Sequence, residues 1–193
     1  MKNIYFSRLT PNFNNWNKSS GRDGKCTAVD PNKPLYEETH GFGWEEWLFE
    51  EYYENLTKPE YICNGFVQAF NHQNQDKDHV DRLYLYTKLC KNKMGHDPGC
   101  YFVGYIDNVK RIEPITKVQR EVQADLSARD IHDNLFIPML SFAKNISFKV
   151  KDVHVEFPMV YQQPIQLIRG QFRFSLYDLN DHPNFLTEIN NYL

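Results

Sequence analysis

The side chains in this sequence that could do chemistry are scattered rather than gathered into a motif. Nowhere in the 193 residues is there a Gly-rich phosphate loop, an HExxH or a GxSxG. His40, His72 and His79 lie near acidic or amide residues but at no metal-ligand spacing, which reads as surface or turn histidines. Cys90, His96 and Cys100 share CKNKMGHDPGC, a loop of a size that wraps zinc. A fourth ligand would have to come from Cys26, Cys63 or Asp97, and without a CxxC pair the spacing does not point to a metal. The adjacent Glu45 and Glu46 of GFGWEEWLF resemble a catalytic carboxylate pair. Helical neighbours diverge by about 100°, so the two cannot face one point. No positioned Lys or third carboxylate accompanies them, and a solvated acidic helix face is expected. No catalytic residue, metal or cofactor is therefore assigned, and ligand binding is favoured over catalysis.

The aromatic residues suit binding better. Trp16 sits in a basic, polar loop with Lys18, Ser19, Ser20 and Arg22. Trp44 and Trp47 open a helix just after His40-Gly41-Phe42-Gly43, and Tyr84 and Tyr86 share one face of a strand. Such residues stack flat bases while Arg and Lys reach phosphates. The expected ligand-binding wall is Trp16, Ser19, Trp44, Trp47 and Tyr86, with Arg8, Lys18 and Arg22 at the phosphates. A single base read this way is flipped from its stack or comes from a single strand. The competing role for the tryptophans and tyrosines is core packing; Trp16, in a loop, has less core to serve.

These residues need elements to position them. Residues 2–9 read as a strand and 10–34 as a long loop of the kind that carries function. Trp44, Trp47, Leu48, Tyr52 and Leu56 recur at helical spacing, predicting an amphipathic helix from Trp44 to Leu56 that ends at Lys58-Pro59. Strands are predicted over 61–70, 81–88 and 101–112, with Leu83 and Leu85 on one face of the second and Arg82, Tyr84 and Tyr86 on the other. Gly104 in mid-strand marks a bulge or a close approach. A bent helix over 119–143 and late strands over 145–157 and 171–177 follow. This order predicts one α+β domain over 1–193, built on a curved antiparallel or mixed sheet or small barrel with two or more flanking helices.

Composition agrees with a self-sufficient core: a chain of this length buries about 70% of its unfolded surface, and 15% of the residues are aromatic. No stretch approaches the ~20 apolar residues of a bilayer span, and no apolar leader precedes the first strand, so a cytoplasmic protein with reduced cysteines is expected. Net charge is −3, against non-specific coating of DNA or membrane. Two basic segments, 1–34 and 81–111, flank an acidic one, so a basic face forms if they meet in space.

The segments IYFSRLT, GFGWEEWLF, RLYLYT, YFVGYIDNVKRI and NISFKVKDVHV together resemble the PUA-like superfamily, which includes the EVE, ASCH and YTH types. They are most similar to the specificity domains found with HNH nucleases in modification-dependent restriction systems. The resemblance implies a small barrel whose mouth accepts a single, often modified, base, with DNA or RNA as partner and cleavage left to a partner nuclease, since no HNH segment follows here. The alternatives are a small nucleotide or RNA hydrolase of the same superfamily, and a protein-interaction or defence-associated partner without a nucleic-acid ligand.

Overall fold

The structure, a computed structural model, describes residues 3–21, 25, 26, 32, 43–71, 78–89, 98–118, 141–155 and 176–191. IYFSRL and HVDRLYLYTKL carry the β-branched and aromatic side chains that suit a pleated surface, and they form β1 (Ile4–Leu9) and β3 (His79–Leu89). The two pair in parallel, Ile4 beside Arg82 and Leu9 beside Thr87. A parallel pair needs a long crossover. Within it lie a 3-10 turn (Trp44–Trp47), helix α1 (Glu50–Glu54), β2 (Ile62–Gly65) and a second 3-10 turn (Gln68–Asn71).

From β3 the chain turns antiparallel into β4 (Gly99–Val118), which pairs with β5 (Ser141–Lys149), and β5 pairs with β2. β4, at 20 residues, is long enough to hold a second partner, β6 (Val153–Val155), along the same edge as β5. β7 (Tyr177–Asp178) adds to the outer side of β1, and helix α2 (Pro183–Asn190) follows. The order is β2-β5-β4-β3-β1-β7, with β6 on β4. This is a mixed seven-stranded sheet with few helices, as an α+β domain requires. Among the described residues it is not closed into a barrel: β2 and β7 are edges.

Period-2 alternation sorts side chains to the two faces. Tyr5, Leu9, Leu83 and Leu85 belong to the larger core, together with Trp16, Leu48, Phe49 and Phe148. Phe6, Tyr84 and Tyr86 belong to a second core, closed by Leu179 and Ile189. Gly104 meets both expectations placed on it. The β3–β4 register shifts beside it, between Leu85 and Tyr86, and its φ of +142° is one that side chains resist. A Cβ there would collide with the His154 carbonyl and with Val155 where β6 crosses β4.

Several predicted elements differ. The helix expected from Trp44 to Leu56 is a 3-10 turn followed by five residues of α-helix, because Glu45 and Glu46 are drawn inward by buried donors. Ser141–Ala143, expected to end a helix, open β5; residues 119–140 lie outside the described set. The late strand over 145–157 is broken by a 3-10 turn at Val150–Asp152, which lets its end leave the path of β5 as β6. Helix α2 was not anticipated, although Pro183 stands where a helix starts and Leu186 and Ile189 lie three apart. No helix among the described residues is long and apolar enough to cross a membrane.

Candidate ligand-binding cleft

The residues expected to form one stacking wall do not gather in one place. Trp16 is fully buried in the larger core, with Nε1 donating to the Thr10 carbonyl at 2.9 Å and its own carbonyl accepting from the Phe49 N–H. Asn15 and Trp16 both take positive φ, 56° and 54°, a conformation uncommon for such side chains. The Asn12 carboxamide holds this turn by accepting from the Asn14 and Trp16 N–H groups. Ser19 faces its own loop, where Oγ accepts from the Gly21 N–H. Lys18 is exposed, Trp44 half-buried and Trp47 buried. Tyr86 lies in the other core, stacked on Phe6 at 4.4 Å with rings 7° from parallel. Arg8 sits beside Tyr86 across the β1–β3 pair. A fully buried ring presents no face to a ligand, and Trp16 and Tyr86 lie on opposite faces of the sheet. Arg22 lies outside the described residues, as do His40, His72, Cys90 and His96.

Glu45 and Glu46 are not a solvated face; both are buried. Glu45 accepts from the Thr10 hydroxyl at 2.7 Å and from the Gln68 N–H. Glu46 pairs with Lys25 at 2.6 Å and accepts from Asn12 Nδ2, from the Ser20 N–H and hydroxyl, and from the Gly43 N–H. Desolvation pushes the Glu46 carboxyl up from its ordinary value, against the pull of Lys25. This knot ties the loop after β1 to the turn that precedes α1. The remaining acidic face is also engaged. Buried Lys144 lies 3.4 Å from Glu50 and 2.8 Å from Glu51, and Glu51 also accepts from the Asn64 N–H. Burial pushes the Glu51 carboxyl up, but the bonds from Lys144 and Asn64 outweigh it and hold the group below the usual range.

The cysteines correct a further expectation: Cys26 is disulfide-bonded rather than a reduced thiol, and its sulfur lies 3.8 Å from the Lys88 carbonyl at the end of β3. Folding the loop back onto β3 places it there. Cys63 and Cys100 are buried thiols, and burial, with Glu51 nearby, pushes Cys63 up to about 12. Among the described residues no group of His, Cys, Asp and Glu is arranged to hold a metal.

Strand register builds a different site. It sets Arg82 opposite Asp107 and Tyr84 opposite Tyr105, and β6 brings His154 beside Tyr105. Tyr84, Tyr105 and His154 thus form a row across three strands, with Arg82 and Asp107 in the next row. Arg82 grips Asp107 through both ends of its fork, Nε–Oδ1 2.6 Å and Nη2–Oδ2 3.0 Å. The same guanidinium lies 4.0 Å over the Tyr105 ring and 5.8 Å from that of Tyr84. Hydrogen bonding to Asp107 pushes Arg82 up from an already high value, so its charge is fixed. Tyr105 stacks on His154 at 4.5 Å and 23°, and His154 Nε2 is 3.5 Å from Asp107 Oδ2.

Beside this row opens a cleft of about 500 Å³. Ile4 and Leu186 give it an apolar side. Asp81, Arg82, Asp107 and Tyr84 line it from the sheet, and Asn108 and Asn190 complete it with amides. Helix α2 is fixed over the cleft by the Tyr84 hydroxyl, which donates to Asn190 Oδ1 at 3.3 Å. Asn108 adopts φ +54° and donates to Asp152. Such a site can hold a flat ligand against its apolar side and read its edge with hydrogen bonds. A smaller pocket of about 260 Å³, at Asn71, Asp78, Arg111 and Glu113, has no comparable aromatic row.

Sequence reasoning placed Arg82 and Tyr84 on one strand face but missed Asp107, Tyr105, His154 and Asn190. The signal available was the complementary charge of RLYLY and YIDN, readable only once their register is known. Searches against family models, curated proteins and solved structures found no match for this chain.

Proposed function

We propose that this chain is a nucleic-acid-binding module that takes one unpaired or flipped base into the cleft between Arg82, Tyr84 and α2. The observation that supports it most is the combination of a cation-capped aromatic row, Arg82–Tyr105–His154, with hydrogen-bonding side chains around one cleft. Aromatic rows on a sheet stack bases whatever their sequence, and edge contacts then discriminate among them. A PUA-like architecture with a base, modified or not, at its mouth belongs to this reading. Within it the stacking role leaves the buried Trp16 and the helix tryptophans and passes to the Tyr105–His154 stack, half-buried and exposed in turn. The rival hydrolase reading loses its carboxylate pair, since Glu45 and Glu46 are committed to buried donors.

The test is fluorescence-polarisation binding to single- and double-stranded DNA and RNA, with and without modified bases, at two salt concentrations. Binding to unpaired strands that survives added salt is expected, and Tyr105→Leu should weaken it by about tenfold, the scale of one lost base stack. No binding, or binding that vanishes with salt and ignores Tyr105→Leu, would overturn the proposal.

A further inference from the structure

The charges lining the cleft narrow the choice of ligand. They are one guanidinium, Arg82, and two carboxylates, Asp81 and Asp107. Arg82 is held by Asp107 in a two-point pair, so the lining has no surplus positive charge to attract a phosphate. What it offers is acceptors. Asp81 accepts from the Asn3 N–H through Oδ2 and lies 3.5 Å from His79 Nδ1 through Oδ1, which leaves a second lone pair on each carboxylate oxygen. Asn108 uses its amide N–H toward Asp152, leaving its carbonyl oxygen as an acceptor. The donors beside them are the remaining N–H groups of Arg82, after those given to Asp107 and Tyr84.

Among the bases, only guanine presents two adjacent donors, N1–H and the 2-amino group, next to one acceptor, O6. A carboxylate takes the two donors together, and a neighbouring guanidinium takes the carbonyl. Adenine, cytosine and thymine each present a single donor on that edge and leave a carboxylate oxygen facing a lone pair. We infer that the cleft prefers guanine, read by Asp81 with Arg82 at O6; this rests on the base-binding reading above and names the base. Asp81 is then a specificity-determining residue.

The test uses fluorescein-labelled thymine pentanucleotides with a central guanine, hypoxanthine, adenine or cytosine. Guanine should bind about tenfold more tightly than adenine or cytosine, the size of one good bidentate contact. Hypoxanthine, which lacks the 2-amino group, should fall between. Asp81→Asn, at a half-buried position whose amide oxygen can still accept from the Asn3 N–H, should fold with a melting temperature near that of wild type while most of the guanine advantage over adenine disappears. Equal affinity for all four strands, or a guanine advantage that persists in Asp81→Asn, would refute the guanine assignment and leave base binding standing. Failure of every strand to bind would instead remove the base-binding reading itself.

Discussion

Removing the Trp16 indole would empty a volume enclosed by the larger core and orphan the Thr10 carbonyl that it caps. Trp16→Ala is therefore expected to lower unfolding stability by about 3–5 kcal/mol, measured as a shift in urea midpoint. A variant that weakens nucleic-acid binding at unchanged stability would contradict that placement. Glu51 gives a prediction in pH. Its folded carboxyl sits below the ordinary value, so its contribution is complete above the unfolded carboxyl pKa of about 4.3 and fades as pH falls through the folded value. The stability gap between wild type and Glu51→Gln should accordingly be widest near neutral pH and shrink in acid. Urea melts from pH 7 down to pH 3 would show it, and a gap that grows toward acid would refute the assignment. Trp16 was named from the sequence for a ligand, and Glu51 falls within the helix expected to turn an acidic face to solvent. Neither environment was legible there, because the partners are remote: Glu51 meets Lys144 across 93 positions of chain.

Among the elements, β4 and β6 decide how the aromatic row beside the cleft is held. Gly104 lets β6 approach β4, and the approach seats His154 on Tyr105. Gly104→Ala combines a steric clash against backbone with a positive φ, so a loss of about 2–4 kcal/mol is expected. The same variant should bind oligonucleotides more weakly than its stability loss alone explains, because Tyr105 loses its stacked neighbour. Chemical denaturation and polarisation binding on one preparation separate the two effects. Gly104 was readable in advance, since a glycine inside a strand has few other reasons to be there. Helix α2 carried a readable start at Pro183, yet its role as a wall of the cleft depends on where β7 delivers it.

At the scale of the molecule, the basic face suggested by the charge pattern is neutralised in part. The first and third segments do meet, through the β1–β3 pair. Their cations, however, are partly spent: Lys25 on Glu46 and Arg82 on Asp107. Elsewhere Lys144 is spent on Glu50 and Glu51, and Lys149 and Lys151 share Glu60, whose carboxyl their hydrogen bonds hold at about 2. With a net charge of −3 and five of the described cations held in ion pairs, binding should depend only weakly on salt. A slope of log K against log salt of about −1 to −2 is expected, the release of one or two counterions. Affinities measured from 50 to 300 mM salt would check it; a slope steeper than about −5 would place the phosphate backbone, not the cleft, at the centre of recognition.

By itself the sequence determined the local features: alternation that makes β1 and β3 two-faced strands, the glycine that admits a neighbour, and the absence of catalytic signatures. These follow from residue type and from periods of two to four residues, which the chain carries whatever its fold. The tertiary structure alone decided which charges are buried and which aromatics are open. Arg82 meets Asp107, Tyr105 meets His154 and Tyr84 meets Asn190 only after strands far apart in sequence have paired in register. A carboxylate beside a buried lysine and one facing water are the same letter in a sequence. Only the desolvation and the donors supplied by the fold make one a structural tie and leave the other open to solvent.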